Sequence, residues 1–483
     1  MNESVAGSPV SDRTSRAAQR RLGLAALKPA TWLGALRRGG FAQAVTVLVG
    51  GTALGHAITA AGMPILTRLY SPAEFGLLAA FSAILMTVSV AVCLRYEVAI
   101  AMPEDDQEAE NLFVLAALVA VGTSAVSAVL IWFGSDLVSR LSGQPLVGPF
   151  LWLLPLCLCY AGVFAALQYW LIRRRQFTSL ASARVIQSGS ATGVQIGLGA
   201  AGFGPIGLIL GPLLNSATGC LALLSRVRRD GPSLTASVSW QGIRDAAWRH
   251  RNYPMYSATE ALANSASIQL PVLLIAVLGS TVEAGHLMLA MFVVQAPMAL
   301  LGTAVSQVYL SRAPEELRSG NLARFTIGVL AALLRTGGGP LLALGIVAPF
   351  VFAPVFGDEW RRAGVVVAWL TPWFVLHFLT APVSIALHVC GRQRAALVLQ
   401  IGGLMIRVGA VITASTWIGN LRTEAYALSG LAFYALYLVV VLRVVGCTLS
   451  DLRQLVEPAL RPCALWIMPA LIAVGTGIGL GWI

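Results

Sequence analysis

Residues 41–66 read FAQAVTVLVGGTALGHAITAAGMPIL, 26 positions without a charged side chain. A helix needs about 20 apolar residues to cross the hydrocarbon of a bilayer, and helices and closed barrels alone satisfy their backbone groups there. The run predicts a transmembrane helix. Twelve further apolar stretches follow, at 76–100, 112–133, 147–172, 179–201, 205–225, 254–278, 284–309, 325–353, 364–389, 396–418, 425–445 and 463–483. Of the 483 residues 57% are hydrophobic and only 11% charged, against about 25% charged in soluble domains, and the mean hydropathy is +0.77. The chain is therefore read as an all-α polytopic membrane protein. Its first apolar run is longer than the roughly 7 to 15 residues of a signal-peptide core, so residues 1–40 are read as a basic cytoplasmic tail with a short amphipathic turn near Leu22 to Leu36.

The charges carry a topology. There are 33 basic and 21 acidic residues, a net charge of +12. With the N-terminus inside, 26 of the 33 basic residues fall on the cytoplasmic side, and five (Arg68, Arg140, Arg361, Arg362 and Arg422) fall outside. This asymmetry is the positive-inside rule, and it accounts for the charge without nucleic acid. Arg335 and Arg407 remain inside spans. The seven cysteines include no CxxC pair and stand mostly in apolar runs, which argues against a disulfide framework or zinc site, and no cofactor is called for.

A duplication shows in the turns. Ser71-Pro-Ala-Glu74-Phe-Gly76 follows the first span and Ser280-Thr-Val-Glu283-Ala-Gly285 follows the seventh, an offset of 209. Each reads as a capping box, with Ser accepting from the third helical N–H and Glu reaching back. Two halves of six spans predict two six-helix bundles in a parallel pseudo-two-fold repeat, with a site between them. The divisions are a tail (1–40), a first bundle (41–225), a basic cytoplasmic linker (226–253) holding Gly231-Pro232 and Trp240, a second bundle (254–445), and a linker with an additional C-terminal hydrophobic helix (446–483).

Polar residues inside such spans need a partner or water, and a central Arg costs about 2.5 to 3.5 kcal/mol on insertion scales. Span 7 carries Tyr253, Ser257, Glu260, Asn264 and Ser267 at helical spacing. Span 1 carries Thr52, His56 and Thr59; span 5 carries Arg184, Ser188 and Gln195. His377, Thr380, Ser384 and His388 share a face of span 10, and Gln400 and Arg407 lie seven apart in span 11. Such stripes predict a water-accessible cavity. The plain alternative is local bonding, since Ser and Thr in membrane helices mostly bond their own backbone, and the histidines also suit interhelical bonds. Gly51/Gly55 and Gly475/Gly479 read as close helix packing. The acidic run Glu104 to Glu110 reads as a solvated face that favours the start of span 3 through the helix dipole.

The segment ILTRLYSPAEFGLLAAF from Ile65, continued by LRYEVAIAMPEDDQEAENL from Leu94 to Leu112, closely resembles the first spans and first cytoplasmic loop of Wzx-type flippases. These belong to the polysaccharide transporter family of the multidrug/oligosaccharidyl-lipid/polysaccharide (MOP) superfamily. Arg68, Tyr70, Pro72, Gly76, Arg95, Tyr96, Glu97 and Pro103 match family positions. The resemblance implies a MOP/MATE-like fold with a V-shaped cavity in a bacterial inner membrane. It also implies alternating access, driven by an ion gradient, that moves a polyprenyl-diphosphate-linked oligosaccharide for O-antigen, capsule or exopolysaccharide synthesis. Arg95 and Glu97 are two apart and so do not share a helical face; either Arg95 faces the cavity while Glu97 finds another partner, or both lie at the interface.

The cargo's headgroup must cross about 30 Å of hydrocarbon while its tail stays in the lipid bilayer, and the forked guanidinium of Arg suits a diphosphate. Arg95, Arg335, Arg407, Asn264, Gln400 and His56 are the expected substrate contacts. Glu260, His377 and His388 are the expected ion-coupling residues. A MATE-like multidrug antiporter shares the frame but needs an acidic cavity for cationic drugs. A membrane polysaccharide polymerase or ligase, the enzymatic alternative, needs catalytic groups on outer loops, which here are all short. An added role in contacting other polysaccharide assembly proteins, through the basic tail, stays open.

Overall fold

The computed structural model describes residues 40–103, 105–141, 145–230, 237–417, 419 and 421–479, and every regular element among them is helical. The expected tail with its amphipathic turn, Glu104 and Gly231-Pro232 lie outside the described residues. The first half comprises α1 (Gly40–Leu69), α2 (Pro72–Ser89), the short α3 (Tyr96–Ala99), α4 (Asp106–Leu141), a 3-10 turn into α5 (Leu154–Arg173), α6 (Phe177–Ala200) and α7 (Pro205–Asp230). A connecting helix, α8 (Trp240–Arg249), leads through a π-turn at Tyr253–Ser257 to α9 (Ala258–Leu278). The second half continues with α10 (Thr281–Arg318), α11 (Leu322–Leu333), a π-turn at Leu334–Gly338, α12 (Gly339–Phe356), α13 (Arg361–Val383), α14 (Ala386–Val389), α15 (Gln393–Trp417), α16 (Arg422–Val445) and α17 (Leu449–Gly479).

Packing repeats between the halves. In the first, α1 packs on α6, α6 on α7, α7 on α5 and α5 on α4; in the second, α9 packs on α15, α15 on α16, α16 on α13 and α13 on α12. These are two six-helix bundles related as a parallel repeat. The expected additional helix is α17, which packs on α11, its π-turn and α12.

Eleven segments among the described residues are long and apolar enough to cross a membrane, two fewer than expected. The two not among them are α6 and α10; of α10, Thr281–Ala296 counts as a shorter apolar stretch. With 24 residues, α6 is about 36 Å long at 1.5 Å per residue, so length is not what it lacks. Its polar side chains are spent on its neighbours: Arg184 donates to Gln168 at 3.2 Å, Gln195 to the Leu208 carbonyl at 2.9 Å, and Ser190 pairs with Thr218 at 2.8 Å. Gly51 and Gly55 let α1 approach this face, since a Cβ on Gly51 would lie 2.5 Å from that of Ala181. Gly475 faces open space, contrary to its expected packing role.

The bundles meet along the helices that begin with the repeated motif. Ser71 and Glu74 close the expected capping box on α2. Ser280 accepts from the Glu283 N–H at 3.1 Å, but the Glu283 carboxylate accepts instead from Thr423 at 2.6 Å and lies 3.8 Å from Arg422. The second copy is therefore half a capping box, because a stronger partner on α16 takes its acid. A Cβ on Gly76 would lie 1.8 Å from the Thr281 carbonyl oxygen, and one on Gly285 would lie 1.9 Å from that of Pro72. At the offset of 209 these contacts are reciprocal, as a two-fold axis through the crossing requires.

Candidate functional site

Helix α2 does not run on to residue 100 as expected. It ends at Ser89, although the sequence stays apolar through Leu94, because the chain turns with Leu94 and Arg95 both in the left-handed region (φ 50° and 65°). Neither is glycine. Such strain costs on the order of 1 to 3 kcal/mol per residue and persists only where neighbours over-determine it. Here Thr123 of α4 donates to the Val92 carbonyl at 2.6 Å, Cys93 to that of Gly162 on α5 at 3.4 Å, and Tyr96 to that of Ala247 on α8 at 3.3 Å.

The reversed turn brings Arg95 and Glu97 together at 3.6 Å, which helical spacing forbids. The Glu97 side chain is 6% exposed and that of Arg95 29%. Arg95 Nε and Glu97 Oε2 are buried without a hydrogen-bond partner. Burial pushes the Glu97 carboxyl up, opposed by its own backbone bond and by Arg95. A buried, unpaired polar atom costs about 1 to 3 kcal/mol, so this turn holds an incompletely satisfied cation beside an incompletely satisfied acid.

Arg407 of α15 is placed differently. It is 2% exposed, and its Nη1 donates to the Ser267 carbonyl of α9 at 2.9 Å. Pro271 explains that acceptor: proline has no N–H to bond the carbonyl four residues before it, so the Ser267 oxygen is left over inside the helix. The guanidinium carbon lies 4.5 Å from the Phe433 ring centre, 5.6 Å from Tyr434 and 5.7 Å from Trp373. Desolvated cation–π contacts of this kind are worth about 2 kcal/mol or more. His377 joins the cluster through Tyr434, ring centres 4.5 Å apart.

Arg407 and His377 are thus the two expected site residues brought together. Glu260 and Asn264 are exposed on α9, His56 is exposed on α1, Gln400 is half-buried on α15, and His388 is exposed on α14. Arg335 stands exposed in the π-turn between α11 and α12, inside the apolar span Leu322–Phe356 as expected. The stripe on α9 is divided, since Ser267 is buried while Glu260 and Asn264 are exposed. Thr52, Thr59 and Thr380 bond backbone carbonyls of their own helices, the plain alternative for such residues.

At the end of the bundles where α2 and α10 begin, Trp360 closes the space between the halves. It is fully buried, its indole N–H donates to the Thr67 carbonyl at 2.9 Å, and Phe75 meets it edge-on at 4.8 Å. His286 bonds the Glu359 carbonyl at 2.9 Å beside it. Sequence reasoning missed Trp360 because one more aromatic residue in an apolar chain carries no signal. Pro271 within span 7 was a usable signal for a cation partner, though not for which one. Beside the far end of α2, an apolar groove lined by Val88, Val119, Val126 and Leu130 opens along the middle of α4.

The family model described as polysaccharide biosynthesis protein matches residues 65–363. In fold the chain is similar to the lipid II flippase MurJ in an inward closed conformation, with a TM-score of 0.66 and 13% identity, covering 90% of this chain and 92% of that one. It is also similar to an inward-facing multidrug resistance MATE family transporter of the MOP superfamily, with a TM-score of 0.60 and 13% identity over 80% of this chain and 94% of that one. A MOP superfamily transporter from Pyrococcus furiosus gives 0.51 and 15%, with coverage of 86% and 98%. At these identities the likeness establishes the fold. No curated protein matches the chain in sequence. The family match takes in the Arg95 turn, the reciprocal glycine crossing, α8 and Trp360, well over half of the chain, which therefore belongs to the polysaccharide biosynthesis protein family.

Proposed function

We propose that the protein is a flippase that moves a polyprenyl-diphosphate-linked oligosaccharide across the bacterial inner membrane for surface polysaccharide synthesis. The observation that carries this reading is the Arg95 turn, a cation with spare hydrogen-bonding capacity at the arginine-rich end of a two-bundle MOP fold. A diphosphate would complete the bonds that Arg95 lacks, through paired charge-assisted contacts. The apolar groove between α2 and α4 starts beside this turn and fits the isoprenoid tail. The N-terminus and the arginine-rich end lie in the cytoplasm, and the end closed by Trp360 faces outward. Closure there favours alternating access, with loading from the cytoplasmic leaflet.

In this reading Arg335, Asn264, Gln400 and His56 contact the headgroup along its path, and Glu260 and His388 respond to the coupling ion. Arg407 and His377 act from within the second bundle, where the Pro271 break in α9 links them to the bundle interface. The test is a deletion strain. Loss of surface polysaccharide with the lipid-linked unit accumulating on the cytoplasmic leaflet is the expected result. Short surface chains would instead mark a polymerase, and unchanged polysaccharide with new drug sensitivity would mark a MATE-like antiporter.

A further inference from the structure

The acidic run read as a solvated face is one only in part: Asp105 and Asp106 are exposed, but the acids after them, Glu108 and Glu110, are not. Glu110 accepts from the Ser237 N–H at 3.1 Å, Asn111 accepts from that of Ser239 at 3.1 Å, and Glu108 pairs with Arg249 at 2.9 Å and with His250 at 3.0 Å. These contacts fix α8 along the start of α4, with Ile243 and Ala246 buried beneath it. The orientation of α8 is therefore set, and so is the face that it turns away from the protein.

That face is unusual for a connecting segment. Trp240, Arg244 and Trp248 recur at steps of four, hence on one side of the helix. Trp240 is 76% exposed and Trp248 63% exposed; Arg244 and Arg251 are exposed as well, with the Arg251 guanidinium 4.8 Å over the Trp248 ring. Met255 and Tyr256, exposed at the start of the next membrane helix, extend the patch. Water gives no reason to hold two indoles out in this way. A bilayer interface does, since Trp settles at headgroup level and Arg between them meets anionic phosphates.

We infer that α8 is a lipid-binding element whose Trp240–Arg244–Trp248–Arg251 face takes the anionic phospholipid headgroups of the adjacent leaflet. Two constraints commit it to that occupant. The helix is tied by short connections to a membrane span on either side, α7 and α9, so it cannot leave the surface. Its charge balance is one-sided: residues 226–251 hold six arginines against two aspartates. Because Ala247 of this helix accepts from Tyr96, lipid held on one side of α8 braces the Arg95 turn on the other. The inference needs the chain to be membrane-embedded and does not depend on what it transports.

Hydrogen–deuterium exchange of the full chain tests it, in nanodiscs of phosphatidylcholine alone or mixed with phosphatidylglycerol. Exchange of the 240–250 amides is expected to slow with phosphatidylglycerol, by about fivefold for each arginine engaged, and to recover at high salt. Arg244→Gln with Arg251→Gln should abolish the lipid effect, while Arg244→Lys with Arg251→Lys should keep it, which separates charge loss from misfolding. Equal exchange in both lipids for the unaltered chain would overturn the proposal, as would a phosphatidylglycerol effect that survives the glutamine pair. Protection that appears only when a soluble protein fraction is added would assign the face to a protein partner and equally reject it.

Discussion

Arg95 and Arg407 are both cations set among apolar helices, and the chain treats them in opposite ways. Arg407 is sealed, with a backbone carbonyl freed by Pro271 as its acceptor and three aromatic rings around it, and its Nε is buried without a hydrogen-bond partner. Arg95 sits half-buried on a strained turn, 3.6 Å from an acid, with one nitrogen unpaired. Access, not completeness of partners, separates the two roles, since each guanidinium leaves its Nε unpaired. A cation sealed among rings holds a fold together, whereas one that stays partly exposed beside an acid keeps capacity for something else.

The sharpest way to break this contrast is Arg407→Leu. Removing the donor to the Ser267 carbonyl and the desolvated cation–π contacts should lower stability by about 3 kcal/mol, read as a fall in the thermal unfolding midpoint of the purified protein. In a Pro271→Ala background, where residue 271 regains an N–H for that carbonyl, the same substitution should cost about half as much. Equal costs in both backgrounds would mean that the proline break is not what Arg407 serves. Arg95→Gln should do the reverse, lowering transport about 30-fold, roughly 2 kcal/mol for lost charge-assisted bonds, with the unfolding midpoint nearly unchanged. A matching fall in stability would make Arg95 structural like Arg407. The smallest effects belong to the repeated motif: Glu74→Ala should cost about 1 kcal/mol by opening the capping box and Glu283→Ala about as much by removing the acceptor of Thr423, but Thr423→Val should reproduce only the second.

The sequence carried the architecture because it is written in long-range composition: charge-free runs marked the spans, and S-x-x-E-x-G at a fixed offset marked the repeat. What it hid were outcomes of competition. Nothing in Val90 to Leu94 ends a helix, and the left-handed turn there is imposed by Thr123, Cys93 and Tyr96 bonding to other elements. Glu283 looks like a capping acid until Thr423, 140 residues away, takes it. Arg184 looked like a cavity residue, and Gln168 and Phe164 absorb it. Glu108 looked solvated, and its partners stand more than 140 residues further along the chain. Local pattern fixes which helices exist; which polar groups remain free is settled only by what folds against them.

The reciprocal glycine crossing has a mechanical side. With no side chain between the two backbones, Gly76 and Gly285 bring α2 and α10 as near as helices can come, and the contact lies close to one tip of each. A rod pinned near its tip is a lever: α2 has 18 residues, about 27 Å at 1.5 Å per residue. From Gly76 to the far tip is about 20 Å, so a tilt of about 10° about the pin would sweep that tip through roughly 3 Å by simple trigonometry. Small rotations at the glycines thus become wide travel at the arginine-rich end.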